Sequence, residues 1–299
     1  MGVRWIDLVD PTPDELLQAV PQLDHGAAEI LASGVSDGRD TRPFLESDGA
    51  AVAGLLLIPL QIEDESRFVY LELGVVATQD VLVTVRRSDR EGRIVDEGVF
   101  APPRDDASSV GSYVHGVIDG VAETYLDLVD SLYLEIDQLE DAIDELPGST
   151  TSHQLSDLRH EMLHARKNVT ATRAAVRRVV DGRLEPGDER LFPRDVEVAF
   201  ADTYDTLVRA TEELDVARDL LSSLRDHLQS KISETQNEVV KKLTAIASLV
   251  LVPTLITGFY GQNFTGVFDS PLWTVGVSIG LIVATTLLQL AFFRWKRWI

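Results

Sequence analysis

Two uncharged runs near the C-terminus constrain this chain more than any other feature. Neither 243–260 nor 272–293 contains a charged residue, and each is close to the roughly 20 apolar residues that a transmembrane helix needs. The linker between them, 261–271, is short, rich in glycine and carries a single charge, Asp269. The sequence therefore predicts two membrane-spanning helices joined by a small polar loop, and any function must accommodate that hairpin.

The rest of the chain is acidic. The formal net charge of the 299 residues is -22. This charge argues against a nucleic-acid partner, because phosphates are bound by Lys and Arg. It favours cations as partners, or is the ordinary charge of a solvated surface. The chain has no cysteine, so disulfides and thiolate metal sites are excluded, which agrees with a reducing compartment.

Basic residues predict the orientation in the membrane. The start of the chain lacks the apolar segment of a signal peptide. Basic residues flank both spans on the side away from the loop: Lys231, Lys241, Lys242, Arg294, Lys296 and Arg297. Since Lys and Arg are enriched in cytoplasmic segments, we expect a multi-pass protein of the plasma or inner membrane with both termini in the cytoplasm. The 261–271 loop then faces outward, and the lipid bilayer is a partner.

Residues 1–110 are predicted to form an N-terminal domain of helices and strands, described as α/β. The fold class expected for the cytoplasmic part as a whole is α+β. Thr12 is expected to cap a helix, with Glu15 three residues later. Runs rich in Val, Leu and aromatic residues are separated by polar turns and predict neighbouring strands. These runs are Val3 to Leu8, Ala51 to Ile62, Phe68 to Thr78 and Val81 to Arg86.

Helices are predicted for the remainder of the soluble part. Within 111–192, an acidic helix from Ser112 to Leu146 precedes a basic helix from about Ser152 to Val180, which predicts an antiparallel pair of complementary charge. A long helix follows over 193–260 and continues without a break into the first span. At 1.5 Å per residue it would be on the order of 100 Å long.

The long helix carries two stripes with different expected roles. A heptad seam offers a means of oligomerisation; its members are Leu207, Ala210, Leu214, Ala217, Leu221, Leu224 and Leu228. A second stripe, called here the Asn237 face, consists of Asn237, Val240, Leu243, Ala247, Leu251, Thr254 and Gly258. Repeated around a symmetry axis, it would form stacked polar and apolar rings like those of a gated channel. The alternative is that this stripe is one side of an apolar span packed against a neighbour.

The resemblance to a known family rests on motifs along most of the chain. The first span ends in Tyr260-Gly261-Gln262-Asn263-Phe264, and the chain ends in a basic, aromatic segment after its second span. The motifs resemble the CorA metal ion transporter family. Further segments that resemble the family, in the same order, are Trp5-Ile6-Asp7-Leu8, Leu82-Val83-Thr84-Val85-Arg86 and Asn237-Glu238-Val239-Val240-Lys241-Lys242-Leu243-Thr244.

The resemblance implies a funnel-shaped homopentameric channel for divalent cations and not an enzyme. It assigns the loop residues Tyr260 to Phe264 to selectivity and the Asn237 face to the pore and its constrictions. It also implies acidic metal sites at Asp202 and at Asp226, with Asp89 as the nearest candidate partner of Asp202. Mg²⁺ is then substrate and regulatory ligand, Co²⁺ and Ni²⁺ are further substrates, and no cofactor is expected.

One residue departs from the family pattern. The usual motif is Gly-Met-Asn, whereas Gln262 stands here in place of the Met. Relatives with an altered middle residue include zinc transporters of the ZntB type, so a proton-coupled zinc transporter is the alternative. The cation, the direction of transport and proton coupling stay open.

Two further interpretations do not involve transport. His160-Glu161-Met162-Leu163-His164 fits the H-E-x-x-H pattern of zinc proteases, with Glu185, Asp188 and Glu189 as available third ligands, but Arg159, Arg166 and Lys167 around it oppose a metal. The other interpretation is a coiled-coil scaffold tethered to the membrane, in which the loop motif has no role.

Overall fold

The computed structural model describes residues 3–33, 42–62, 68–101, 109–184, 191–261 and 271–298. The chain forms two compact units, Met1–Arg225 and Asp226–Ile299. The Gln262, Asn263 and Phe264 positions of the loop motif and the Glu185, Asp188 and Glu189 positions lie outside the described residues.

A five-stranded mixed sheet organises the first unit. Its strands are β1 Arg4–Val9, β2 Phe44–Ser47, β3 Val52–Gln61, β4 Phe68–Ala77 and β5 Val81–Arg86. Their order across the sheet is β1-β5-β4-β3-β2, with β1 parallel to β5 and the other neighbours antiparallel. The predicted strands are confirmed to within a residue or two at their ends. β3 is buried along eight consecutive residues, as expected for a strand covered on both faces.

Three short helices pack around this sheet: α1 Pro13–Ala19, α2 His25–Ser33 and α3 Glu97–Phe100. The predicted cap of α1 is confirmed. The Thr12 hydroxyl accepts from the Glu15 N–H at 3.3 Å, and the Glu15 carboxylate accepts from the Thr12 N–H at 2.8 Å. Leu16 of α1 and Leu31 of α2 bring these two helices into a core shared with Val83 and Val85 of β5.

Four long helices follow: α4 Val110–Glu145, α5 Gly148–Val180, α6 Arg194–Gly261 and α7 Pro271–Trp295. The acidic and basic helices and the long helix are thus confirmed. The fully buried Tyr125 ties α4 to the sheet, since its hydroxyl donates to the Leu57 carbonyl at 2.9 Å. α6 and the Val275–Trp295 part of α7 each contain a stretch long and apolar enough to cross a membrane, as the two uncharged runs predict.

The heptad seam of α6 is buried inside the chain. Leu207, Leu214 and Leu221 are at most 3% exposed. Nearby, the Tyr133 hydroxyl of α4 donates to the Glu213 carbonyl of α6 at 3.1 Å. The prediction that this seam joins copies of the chain is therefore wrong. A heptad pattern indicates that one side of a helix is buried against other helices. Here those helices belong to the same chain.

The basic side chains of α5 pair more widely than predicted. Arg166 Nε lies 3.0 Å from Asp215 Oδ1 on α6, and Arg178 Nη1 lies 3.3 Å from Glu46 Oε1 on β2. Both pairs are substantially exposed, so each contributes at most about 1 kcal/mol. The charge of α5 therefore serves contacts with α6 and the sheet.

Candidate functional site

The apolar part of α6 packs against α7 through one side of the helix. Ala245 is fully buried, Ile256 is 8% exposed and Phe293 of α7 is 6% exposed. Between them, Gln289 Nε2 donates to Ser248 Oγ at 3.2 Å. These contacts define a helix pair joined by apolar packing and one hydrogen bond between side chains.

The same hydrogen bond requires the helices to be antiparallel. Ser248 is 13 residues before the end of α6, and Gln289 is 18 residues after the start of α7. In a parallel pair the two helix ends would lie roughly 46 Å apart at 1.5 Å per residue. The ten peptide steps from Gly261 to Pro271 reach at most about 36 Å. The predicted hairpin is thus the arrangement that the chain length allows.

From Val240 to Gly258, the Asn237 face lies on the side of α6 that points away from α7, whereas Asn237 itself is about 80° round the helix from Ala245. At about 100° per residue, Leu243 and Ala247 point some 200° round the helix from Ala245. Val240, Leu243 and Leu251 are 59%, 65% and 68% exposed. The other members are exposed as well: Asn237, Ala247, Thr254 and Gly258. Among the described residues the stripe is not used for packing, which leaves it available to line a conduit or to contact lipid.

The polar members of the Asn237 face can accept hydrogen bonds from water. The Thr254 hydroxyl donates its proton to the Val250 carbonyl at 2.7 Å. Its oxygen lone pairs are therefore left to accept hydrogen bonds from the outside. A hydrated cation presents water hydrogens, so Thr254 and the Asn237 amide oxygen suit such a ligand without contributing charge.

Pro253 modifies the helix beside this face. Proline has no N–H and cannot bond the carbonyl of Leu249 four residues earlier, although α6 continues through it to Gly261. One turn later, the Thr257 hydroxyl donates to the Pro253 carbonyl at 2.9 Å. A Cβ at Gly258 or at Gly261 would meet no atom of the chain within 4 Å. Neither glycine is therefore required by packing within one chain.

Tyr260 and Gly261 begin the Tyr260 to Phe264 motif. The ring of Tyr260 lies edge to face with that of Phe259, with centroids 5.8 Å apart, and Gly261 is the last residue of α6. The motif therefore starts at the end of the helix that carries the Asn237 face, as predicted. The roles expected for Gln262, Asn263 and Phe264 stay predictions.

The predicted acidic residues do not form a metal site in one chain. Asp202 and Asp226 on α6 are both exposed. Within the described residues, no three His, Asp or Glu side chains are arranged to hold a metal ion. An ion at these carboxylates would consequently need ligands from beyond the described residues of one chain.

Asp89 is engaged in the turn that follows β5. Its carboxylate accepts from the Arg93 N–H at 2.8 Å and from Arg93 Nε at 2.7 Å. Partial burial acts to raise the pKa of Asp89, but these hydrogen bonds hold the pKa below its ordinary value. The carboxylate is thus negatively charged at neutral pH and already organised around Arg93.

The H-E-x-x-H motif lies on α5. His160 is exposed, and its Nδ1 is 2.7 Å from the Ser156 carbonyl. His164 and Glu161 are half-buried. The charge of Glu161 acts on Glu135 of α4, whose pKa is raised by burial and by that charge. The neighbour of this motif is therefore a second carboxylate. The described residues offer no third metal ligand beside it.

Two polar arrangements were not predicted from the sequence. One is the Gln289 contact with Ser248, for which the signal was present, since Gln289 is the single amide between 272 and 293. The other joins α4 to α6 through the buried Thr203. Its hydroxyl donates to Asp119 Oδ1 at 2.6 Å and lies 3.1 Å from His115 Nε2. No local pattern reveals this second group, because its members are separated by more than 80 residues.

Comparison with solved structures shows the fold. A structure described as the complete structure of CorA magnesium transporter from Methanocaldococcus jannaschii superimposes with a TM-score of 0.74 at 19% identity, covering 99% of this chain and 91% of that one. This likeness extends through both units of the chain.

Sequence comparison finds relatives with several names. The cobalt/magnesium transport protein CorA of Thermotoga maritima is 26% identical over 187 residues, which are 62% of this chain and 52% of that protein. The match thus spans about half the length of that relative. The zinc transport protein ZntB of Yersinia enterocolitica is 22% identical over 267 residues, 88% of this chain and 77% of that protein.

A family model covers almost the entire chain. The model described as CorA-like Mg²⁺ transporter protein matches residues 1–297. It therefore includes the sheet, the long helices and the hairpin with the Tyr260 to Phe264 motif. From this match we conclude that the chain belongs to the CorA-like family of Mg²⁺ transporters.

Proposed function

We propose that this protein is a homopentameric channel that passes hydrated divalent cations, chiefly Mg²⁺ and also Co²⁺ and Ni²⁺, along the Asn237 face. The observation that carries the proposal is the position of this face, which is exposed and, from Val240 to Gly258, turned away from α7. Its polar members offer neutral oxygens, which suit an ion that gives up its water reluctantly.

Oligomerisation is necessary for this function. Two helices cannot surround an aqueous path, because every lipid-facing polar group in the bilayer must be satisfied within the protein. Copies of α6 that place their Asn237 faces around one axis would provide a closed wall. The number five comes from the resemblance to the family, and both termini would lie in the cytoplasm.

Selectivity would arise in the loop after α6. The backbone oxygens of Gly261 and Gln262 and the side chain of Asn263 would form the first contact with the hydrated ion at the outer mouth. Leu243 and Leu251 would supply apolar constrictions that close by excluding water. Asp226, exposed on α6, would raise the local cation concentration at the cytoplasmic end.

Gating would depend on cytoplasmic divalent ions. An ion held by Asp202 of one copy and acidic groups of the next, with Asp89 as a candidate, would offset repulsion between the acidic subunits and stabilise the closed state. Loss of the ion would let the subunits separate and α6 move. The ligand shifts the equilibrium because it binds one state better than the other.

Flux in proteoliposomes tests the proposal. Uptake of Mg²⁺, Co²⁺ and Zn²⁺ would be compared for the wild type, for Asn263→Ala, and for Asn168→Ala as a change of the same type in the soluble unit. We expect Asn263→Ala to abolish divalent flux. Flux that survives this change would reject the loop as the filter, and absence of flux for all three ions in the wild type would favour the scaffold.

Proton-coupled zinc transport is the second candidate. It is supported by Gln262 in place of Met and by the similarity to the ZntB protein. A proton gradient separates the two functions: Zn²⁺ uptake that rises with an imposed gradient, while Mg²⁺ uptake is absent, would replace the magnesium channel by the zinc transporter.

The protease interpretation has its own test. Glu161→Gln removes the general base that such an enzyme needs, whereas a channel has no use for this carboxylate. We expect unchanged ion flux in this variant and no metal-dependent peptide cleavage by the wild type.

A further inference from the structure

Five cations lie at one end of the paired membrane helices. Their side chains are exposed, and they are referred to here as the basic cluster: Lys241 and Lys242 on α6, and Arg294, Lys296 and Arg297 at the end of α7. Lys242 Nζ is 3.9 Å from the Glu238 carboxylate, and both groups are more than 60% exposed. An exposed pair at this distance is weak and screened by salt, so it leaves Lys242 able to bind another anion.

The contact between Gln289 and Ser248 brings these cations to one level. Lys241 precedes Ser248 by seven residues, and Lys296 follows Gln289 by seven. Because the helices are antiparallel, both positions lie about 10 Å beyond the hydrogen bond in the same direction. The two groups of charges, more than 50 residues apart in sequence, therefore belong to one plane.

The basic cluster is on the side of α6 that carries α7. Lys241 and Lys242 lie four and three residues before the buried Ala245, and positions with these spacings share a helix side. Most of the Asn237 face, from Val240 to Gly258, points the opposite way, whereas Asn237 itself is one turn before Lys241 on the same side. If the Val240 to Gly258 part surrounds the conduit, Lys242 and the end of α7 are directed outward, toward the lipid around the assembly.

The end of α7 is held by a defined cap. Trp298 N–H donates to the Phe293 carbonyl at 2.9 Å, and Arg297 N–H donates to the Arg294 carbonyl at 3.1 Å. With Arg297 in the left-handed region at φ 55°, this is a Schellman motif. The Trp298 ring stacks on Phe293, with centroids 5.7 Å apart and planes at 18°, and supplies the apolar contact that accompanies such a cap.

The cap has an energetic implication. A left-handed residue other than glycine costs about 1 kcal/mol, and the two hydrogen bonds and the ring stacking offset that cost. The cations of the last turn are thereby held around the helix end and do not trail from it. Trp295, 77% exposed, lies beside them with Lys296 Nζ 5.3 Å from its ring centroid.

We propose that the basic cluster is a binding site for the headgroups of anionic phospholipids in the leaflet where α7 ends. Exposed Trp side chains at a helix end are typical of the headgroup level, and basic clusters next to a span attract anionic lipid at about 1 kcal/mol per cation. Anionic lipid is also repelled by the rest of the chain, since the net charge of the whole sequence is -22 even with these five cations included. The basic cluster offsets this repulsion where the acidic protein meets the membrane.

Native mass spectrometry of the full chain in nanodiscs tests the proposal. Nanodiscs of equal parts phosphatidylglycerol and phosphatidylcholine would be used, and the lipids that stay bound would be counted. The test variant is Arg294→Gln with Lys296→Gln and Arg297→Gln. The matched control removes three exposed cations of the first unit, as Arg159→Gln with Arg209→Gln and Arg225→Gln.

We expect the wild type and the control to retain phosphatidylglycerol preferentially, and the test variant to lose roughly tenfold or more of that preference. High salt should weaken the preference in the same way. A charge-conserving variant, Arg294→Lys with Arg297→Lys, should keep it, which separates charge from folding of the cap. An unchanged preference in the test variant would overturn the proposal, as would full competition by inorganic phosphate, which would indicate a site for free anions.

The proposal rests on α6 and α7 spanning a bilayer and not on the identity of the transported ion. Retained phosphatidylglycerol without any cation flux would contradict the proposed channel and leave the lipid site standing. Normal cation flux with no lipid preference would contradict the lipid site and leave the proposed channel standing.

Discussion

Arg86 and Asp7 join two strands that are 79 residues apart in sequence: Arg86 Nε donates to Asp7 Oδ2 at 2.9 Å. The side chains are only 14% and 16% exposed. Asp7 also accepts from the Thr84 hydroxyl at 2.7 Å, and Arg86 donates to the Val95 carbonyl at 3.0 Å. Two of the segments that resemble the transporter family thus meet in one partly buried network.

Asp7→Asn should destabilise the sheet. The change leaves the Arg86 guanidinium without its countercharge in a site of low exposure, and breaking a buried pair in this way is costly. Since the pair is not fully buried, we expect a loss of about 2 kcal/mol in the free energy of unfolding. Denaturant unfolding of the full chain in detergent measures it, with the exposed Asp80→Asn as control; equal effects of the two changes would contradict the role of the network.

Ser248→Ala should weaken the packing of α6 on α7 more than loss of one hydrogen bond implies. Gln289 Oε1 is already buried without a partner among the described residues, and the substitution would leave its Nε2 unpaired too. We expect a cost of about 1–2 kcal/mol. Adding Gln289→Leu removes both unpaired groups and should restore most of the stability.

Thermal unfolding of these variants in one detergent forms a double-mutant cycle. If Ser248→Ala and Gln289→Leu are simply additive, the hydrogen bond does not couple the helices.

Glu135→Gln should stabilise the protein near neutral pH. Burial raises the pKa of Glu135, and the charge of Glu161 raises it further. The folded state therefore binds the proton more tightly than the unfolded state, where the pKa is about 4.3. Wild-type stability then falls as pH rises from that value through the raised folded pKa.

The difference in melting temperature between Glu135→Gln and the wild type should consequently be positive at pH 7.5 and vanish near pH 4. The exposed Glu140→Gln on the same helix serves as control. A difference that is constant with pH would show that ionisation of Glu135 is not its cause.

Asp202→Ala should relieve inhibition of flux by internal Mg²⁺. The carboxylate is exposed in a single chain, so its loss should have little effect on stability and should act on ion binding between copies. We expect the internal Mg²⁺ concentration for half-inhibition to rise severalfold, by roughly the factor that a coupling of 1–3 kcal/mol provides. The exposed Asp205→Ala, less than one turn away, should leave it unchanged; equal shifts would assign the effect to overall charge.

Gln262→Met should change ion selectivity if the loop is the filter. The substitution removes an amide that can hydrogen-bond to the water shell of the ion, and it restores the residue of the usual family motif. We expect the ratio of Mg²⁺ to Zn²⁺ flux to rise by at least severalfold, as measured in proteoliposomes with equal ion gradients. An unchanged ratio, with total flux intact, would exclude this side chain from selection.

Much of the fold was predictable because its signals are local. Strands β3 to β5 were indicated by apolar runs between polar turns, α1 by the Thr12 cap, and the spans by the absence of charge. The start of α6 after Pro193 and its end at Gly261 were also correct to within a residue. Each of these features depends on residues that are close together in the sequence. Such features can therefore be predicted from the sequence alone.

The Asn237 face was a prediction of the same kind, since a stripe follows from helical spacing. Its exposure, and its position opposite α7 from Val240 to Gly258, agree with the expected conduit, although its function is a proposal. The acidic sites could not be predicted equally well. Position along the chain indicates Asp89 as a partner of Asp202, whereas in the fold the Asp89 carboxylate is hydrogen-bonded to Arg93.

Local sequence patterns are enough to specify the elements: two spans, a long helix entering the first, and an acidic domain of mixed class. The partners of these elements follow from the fold. It assigned the Leu207 to Leu228 seam to the same chain, joined Asp7 to Arg86, and placed Lys241 level with Lys296 through Ser248 and Gln289. The physical reason is that periodicity specifies which side of an element is covered, whereas the covering surface depends on contacts between residues far apart in the chain.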